Sequence, residues 1–253
     1  MLAMTRPVPA AVLGQANVLD LLKLIRPWTM RKNQKIRLGN QYDGGYVLPM
    51  AMLDCDVIVS IGVGHDVSFD HVMAERGATV LQFDHTVSGP PSQHANFRFH
   101  KLGWGRRTEG PFVSFEDIHG EVNALKAQHP MLKFDIEGAE YDVLEATNAD
   151  DLAAYDIIAC ELHDFDRLGD PVFFAGVLAA LEKLNKHHVP VHLHANNYQS
   201  LVLVEGVPIP KVLEVAFLRR DLDTFSSLST DPIPGPLDRP NHPGRADLCM
   251  NPF

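Results

Sequence analysis

No apolar run in this chain approaches the roughly 20 residues that span a bilayer. A membrane partner is therefore not expected. Cysteine is scarce as well: Cys55, Cys160 and Cys249 are odd in number and far apart, which excludes a disulfide framework and argues against a zinc site built from thiolates. Reduced thiols are expected. Positive charge is also in short supply, with 22 lysines and arginines against 32 aspartates and glutamates and a formal net charge of -10. That balance excludes a general binder of nucleic acid or anionic lipid, for which clustered basic residues are needed. Residues 1–7 hold no charged region leading into a long apolar segment, so no targeting peptide is expected and cytoplasmic residence is the default.

What the chain does have is apolar content, 45% of 253 residues, enough for one substantial core. One domain over 1–253 is expected: an N-terminal helix and hairpin cap (1–54), a core (55–220) and a proline-rich C-terminal tail (221–253). Apolar positions at Val18, Leu19, Leu21, Leu22, Leu24 and Ile25 predict a short amphipathic helix over 16–25, closed by Pro27. Its stripe would serve equally well to cover the core or to make a homodimer contact. Asp43-Gly44-Gly45 between two apolar runs is a tight-turn signal.

From Cys55 onward, strand and helix patterns alternate, predicting a mostly parallel sheet covered on both faces. Strands are read at 56–61, 79–83, 96–102, 131–136, 157–162, 189–194 and 213–219, the last antiparallel beside the sixth. Helices fall at 68–76, 115–128, 141–147 and 171–186. From residue 231 the chain is expected to be irregular.

The first strand runs into Gly62-Val63-Gly64-His65-Asp66, and the second ends at Asp84, 22 residues after Gly62. Two glycines let a backbone turn approach a ligand, and an acid at the second strand tip suits the two hydroxyls of a ribose. Asp66 stands where a dinucleotide site would have its third glycine, and an acid there repels a pyrophosphate. S-adenosylmethionine carries no phosphate and fits better. A nicotinamide-dependent oxidoreductase is the lesser alternative.

Ligands in open α/β sheets bind beyond the carboxyl ends of the strands. Those ends are polar here: Asp84-His85, Asp135-Ile136-Glu137-Gly138-Ala139-Glu140, Glu161-Leu162-His163-Asp164 and His192-Leu193-His194-Ala195-Asn196-Asn197. The segment from Lys133 through Asp135, Glu137, Gly138 and Glu140 resembles the signature of FkbM-type methyltransferases, in which lysine, aspartate, glutamate, glycine and glutamate recur at this spacing. With the Gly62 turn, Asp84, Asp43-Gly44-Gly45-Tyr46 and the late histidine segment, the resemblance spans residues 36–220. It implies a class I, Rossmann-like α/β methyltransferase fold with seven mostly parallel strands, one of them antiparallel. It also implies S-adenosylmethionine as cofactor and transfer to a hydroxyl of a sugar or natural product. On that reading Gly62, Val63 and Gly64 face the methionine part, Asp84 holds the ribose, His85 and Gly103 border the adenine, and Asp135 lies near the reacting methyl.

Methyl transfer to oxygen requires alignment and removal of a proton. His163 is the first candidate base, because imidazole titrates near neutrality, and His194 is the second. Glu161 and His163 share one strand face, His192, His194 and Asn196 share another, and the two sets are expected to converge. Asp135, Glu161, His163 and His194 could also hold a divalent ion, but no compact ligand motif favours it, and a hydrogen-bonded network is the preferred expectation. His192 alone reads as structural. Arg106 and Arg107 read as an exposed basic loop, and residues 241–245 as either a lid or a surface-packed tail. The acceptor is expected to be a small molecule bearing a hydroxyl. The other alternative is a catalytically silent scaffold of the same fold, motivated by Ser60, where relatives carry an acid, and by Asp66.

Overall fold

The computed structural model describes residues 13–251, so the reading of residues 1–7 falls outside the described residues. Seven runs form the central strands: β1 (Val57–Ile61), β2 (Thr79–Phe83), β3 (Phe97–His100), β4 (Pro130–Phe134), β5 (Ile157–Leu162), β6 (His188–Ala195) and β7 (Leu213–Arg219); all but β3 are mostly apolar and buried almost throughout, whereas the edge strand β3 alternates Phe97 and Phe99 with Arg98 and His100 and is only partly buried. Buried apolar runs are what a sheet covered on both faces demands. Their order is β3-β2-β1-β4-β5-β7-β6, and every neighbouring pair is parallel except those that β7 makes with β5 and β6. The last strand is thus antiparallel beside the sixth, as expected, and it is also wedged between the fifth and sixth. Pro190 sits on β6 at a break in register, tolerated because β6 is an edge strand with one partner.

Among the described residues six α-helices flank the sheet: α1 (Gln15–Leu22), α2 (Ser68–Glu75), α3 (Phe115–Ala124), α4 (Glu140–Ala146), α5 (Ala149–Leu152) and α6 (Pro171–His187). Asp170 caps α6 by accepting from the Val172 amide at 2.9 Å, with Pro171 in the first turn. The buried stripe of α6 is Phe174, Val177, Ala180, Leu181 and Leu184, the helical period of an amphipathic element. Helix α3 ends four residues earlier than its sequence pattern suggests, because Lys126 turns left-handed at φ 57°. The N-terminal helix α1 is prolonged by a 3₁₀ turn over Lys23–Ile25 and buries Val18, Leu21, Leu22 and Ile25 in the core.

Two apolar clusters lie on opposite faces of the sheet. One joins α1, α3, α4 and α6 to Val59, Ile61, Phe83 and Phe134. The other joins Phe69 and Met73 of α2 and the hairpin of Lys35–Gly39 with Gly45–Pro49 to Ile58, Val80 and Met131. Each fully buried aliphatic side chain in them contributes about 1.5–3 kcal/mol.

The sequence pattern did not expect the pairing of Trp28–Met30 with Phe225–Leu228. Asp223 secures it, accepting from the amides of Arg31, Lys32 and Asn33. The stretch 201–210 forms a hairpin, Val202–Val204 with Val207–Ile209, turned at Glu205 and Gly206 in left-handed conformations. No strand or helix follows Leu228 among the described residues, and this tail packs back across β6 and β7. Among the described residues no helix is long and apolar enough to cross a membrane. Cys55 and Cys160 are buried and Cys249 is exposed, all as free thiols.

Candidate active site

At the end of β1 the chain turns at Gly62, with φ 80°, and a Cβ there would stand 1.7 Å from the Asp135 carbonyl oxygen. Glycine is therefore required for β1 and β4 to lie side by side. Gly64, with φ 55°, differs: a Cβ added to it would meet nothing within 4 Å. Of the two glycines, Gly64 is the one that opens onto space for a ligand.

The Asp84 carboxylate holds this turn. Its Oδ2 accepts from the Val63 and Gly64 amides at 3.0 Å each, and its Oδ1 accepts from the Thr86 amide at 2.7 Å and hydroxyl at 2.6 Å. Burial opposes ionisation, yet these donors outweigh it and hold the carboxyl below its ordinary pKa. Asp66 points away from the turn, accepting from the Ser68 amide at the start of α2 and from Asn40. It closes a turn of its own just ahead of α2 and ties that turn to the N-terminal hairpin. The His85 ring lies directly on Gly103, where a Cβ would approach Nδ1 to 2.5 Å, and 4.9 Å from the Phe112 ring. His85 and Gly103 therefore do form one surface, across two strand ends.

From β4, Lys133 donates to the Gly62 carbonyl at 2.9 Å, tying the signature segment to the glycine turn. The chain then reverses at Glu137 and Gly138, with φ 56° and 99°. That reversal brings the fully buried Glu140 back so that Oε1 accepts from the Gly138 amide at 3.1 Å and lies 2.8 Å from His163 Nδ1. An ionised carboxylate only accepts, so Nδ1 carries the proton and Nε2 is the free nitrogen of the neutral ring. Nε2 faces Asp135 at 3.7 Å, Glu161 at 3.7 Å and Glu137 at 3.6 Å. Burial pulls the His163 pKa down, but Glu140 and the other acids more than reverse this and raise it. Burial raises the carboxyls of Asp135 and Glu161; for Glu161, the neighbouring Asp135, Glu214 and Asp43 add to the effect.

Asp135, Glu161 and His163 each bring one donor atom within 4.8 Å of the other two, and Asp43, Glu161 and Glu214 do the same. Three of the four predicted catalytic residues thus meet, and His194 does not. Since β7 separates β5 from β6, His194 reaches Glu214 rather than Glu161. Its Nδ1 lies 3.0 Å from Glu214 and its Nε2 3.1 Å from Asp247, with the ring 1% exposed. Burial would lower its pKa, but the two carboxylates raise it to about 10. With both nitrogens committed, His194 is a structural cation, and the expectation that it serves as the second candidate base is corrected. His192 likewise pairs with Asp238 at 2.8 Å.

Sequence reasoning missed Glu214 as part of this site, and it named Glu140 and Asp43 only within the resemblance and Asn241 only within a lid or tail, giving none of the three a role. Asn241 donates to Glu214 at 2.5 Å and to Asp43 at 3.3 Å, so the tail lies against the acidic strand ends. Asn197 holds it there, donating to the carbonyls of His242, Arg245 and Ala246. One signal was present: Glu214 is the sole charged residue inside the apolar run from Leu213 to Leu218. Arg106 and Arg107 are neutralised by Asp142, Glu145 and Glu109, in keeping with a solvated loop. A cavity of about 850 Å³ lies between Arg26, Lys35, His192 and the tail, and no member of the acidic cluster lines it.

A seven-stranded sheet of this order, with one antiparallel strand and a glycine turn leading to an acid at the second strand tip, defines a class I methyltransferase fold. The chain belongs to the FkbM methyltransferase family, whose domain, described as "Methyltransferase FkbM domain", matches residues 46–188. No curated protein matches the chain. Among solved structures, a putative hemolysin from Streptococcus thermophilus is similar at 14% identity, with a TM-score of 0.39 over 66% of this chain. This chain spans 60% of that protein's length. The Burkholderia thailandensis 1,6-didemethyltoxoflavin-N1-methyltransferase, solved with 1,6-didemethyltoxoflavin and S-adenosylhomocysteine, is 12% identical, with a TM-score of 0.31 over 83% of this chain and 79% of its own.

Proposed function

We propose that this protein transfers a methyl group from S-adenosylmethionine to a hydroxyl oxygen of a small acceptor. The observation that carries the reading is the placement of His163: Nδ1 is fixed by the buried Glu140, while Nε2 faces Asp135 at the strand end next to the glycine turn. A base is thereby held in one tautomer at the position where an acceptor proton has to leave.

The residues present fit a sulfonium nucleoside. Gly64 leaves open space above the turn, and the turn itself holds no lysine or arginine for a phosphate. Gly62, Val63 and Gly64 would face the methionine part, Asp84 the ribose, His85 and Gly103 the adenine, and Asp135 the amino end. S-adenosylmethionine supplies an electrophilic methyl group. The chain's own work is to align the acceptor oxygen, exclude water from the strand ends, and take the hydroxyl proton on His163 Nε2 as the oxygen–methyl bond forms.

Asp84 already accepts four strong hydrogen bonds, so ribose hydroxyls would share or displace the Val63 and Gly64 amides. The test is calorimetric titration with S-adenosylhomocysteine of the protein and its Asp84→Ala variant, with a parallel titration of NAD. Binding to the native protein that weakens at least tenfold in the variant is the expected result. Absence of S-adenosylhomocysteine binding would sink the proposal and leave a silent scaffold, and NAD binding in its place would make the protein an oxidoreductase.

A further inference from the structure

We infer that Asp135, Glu161 and His163 form a binding site for a divalent cation of the Mn²⁺ and Mg²⁺ class. This rests on the proposed methyl transfer for the cation's role, but not for its binding, and it replaces His163 as the group that removes the acceptor proton.

The first observation is geometric. His163 Nε2 stands 3.7 Å from both Asp135 and Glu161. Those separations are too long for hydrogen bonds. They fall within the roughly 3–4 Å expected between donors that share an ion with ligand distances of about 2.0–2.4 Å. All three donor atoms lie within 4.8 Å of one another.

The second observation is independent of the spacing. The Glu161 side chain is 7% exposed, and among the described residues no hydrogen-bond donor reaches it. Asp135 Oδ1 is likewise buried without a partner. Buried carboxylates are ordinarily paired, because an unpaired one forfeits its hydration with nothing in exchange. The nearby ammonium of Lys133 donates to the Gly62 carbonyl; its charge favours ionisation of Asp135 and Glu161, but it hydrogen-bonds neither, and burial still outweighs it. Asp43 and Glu214, the other acids near Glu161, share Asn241 as a donor, which leaves the Asp135 side as the open one.

The third is the support behind the imidazole. Glu140 accepts from Nδ1, fixing the tautomer that presents a lone pair on Nε2, which is the carboxylate–histidine arrangement found behind metal ligands. Two carboxylates and one imidazole, with no thiolate, suit a hard ion of octahedral preference with water or substrate oxygen in the remaining positions. With such an ion bound, His163 is a ligand rather than the base. An acceptor hydroxyl reaching the ion is acidified by it and gives its proton to solvent.

The experiment is titration of chelator-treated protein with Mn²⁺, followed by electron paramagnetic resonance and calorimetry, with Mg²⁺ as competitor. S-adenosylhomocysteine binding is measured in the same samples. One tight Mn²⁺ per chain is expected, displaced by excess Mg²⁺ and weakened at least tenfold by Glu161→Gln. Glu140→Gln is expected to weaken it about tenfold through the imidazole. Asp142→Asn, on the surface beside Arg106, is expected to leave it unchanged. Thermal melting separates binding from folding: Glu161→Gln should melt no lower than the native protein without metal, and should lose the rise that Mn²⁺ gives. If that variant does not fold, Asp135→Asn, at a side chain 28% exposed against 7% for Glu161, carries the same comparison. Weak Mn²⁺ association that is indifferent to these substitutions would overturn the inference even if S-adenosylhomocysteine binds. Tight, substitution-sensitive Mn²⁺ binding without S-adenosylhomocysteine binding would uphold the site and remove the methyltransferase role.

Discussion

Gly62 and Gly64 look interchangeable in sequence, but their neighbours differ. A side chain at Gly62 would press on the Asp135 carbonyl, part of the backbone that carries the site, whereas Gly64 faces open space. Gly62→Ala should therefore cost about 3 kcal/mol or more, at the upper end of single substitutions, because the β1–β4 contact must spread. Gly64→Ala should cost only about 1–2 kcal/mol for its left-handed backbone. Urea denaturation of the two variants checks this, and equal losses would refute the distinction. The same comparison marks what was readable. The strand–turn–acid pattern placed Gly62, Gly64 and Asp84 together, but nothing along the chain reveals that Asp84 binds the turn's own amides. That depends on how far the loop after β2 folds over, which is a tertiary distance.

At the scale of elements, the seven strands were legible because most are short apolar runs bounded by turn residues, as a sheet covered on both faces requires, and the edge strand β3 shows the alternation of Phe97 and Phe99 with Arg98 and His100. The ribbon of Trp28–Met30 and Phe225–Leu228 was not, since its strands are short, half exposed and almost 200 residues apart. Nor was the docking of the tail, which is secured by ion pairs rather than apolar periodicity. His194 gains its charge from Asp247 and Glu214 on folding, and its pKa rises from 6.5 to about 10. A raised pKa stabilises the folded form fully below pH 6.5, and the contribution fades as pH climbs toward 10. Amide exchange of residues 241–247, corrected for the intrinsic pH dependence, should therefore show weaker protection at pH 10 than at pH 7. Asp247→Asn should reproduce the loosening at pH 7. Unchanged protection in both would show that the tail is held by other contacts.

For the whole molecule, acid is a second stress. His188 is buried on β6 with Nε2 directed at the Tyr155 carbonyl at 2.8 Å, and burial holds its pKa down at about 4. Its neutral form is the folded form, so its contribution is complete above pH 6.5 and is lost as pH falls from there toward 4, about 3 kcal/mol for a shift of this size. His188→Gln should flatten the decline of melting temperature between pH 7 and 4. An unaltered slope would assign the acid sensitivity to other groups.

The position of β7 has a consequence for how the molecule is assembled. The sixth strand leaves the ribosome before the seventh, yet its only place in the sheet is against the seventh. Until residues 213–219 emerge, β5 is an open edge, β6 is an unattached apolar segment, and Glu161 has no Glu214 beside it. Glu214 therefore joins the acidic strand ends only when the sheet closes, and the Asn241 amide that bridges it to Asp43 arrives later still with the tail.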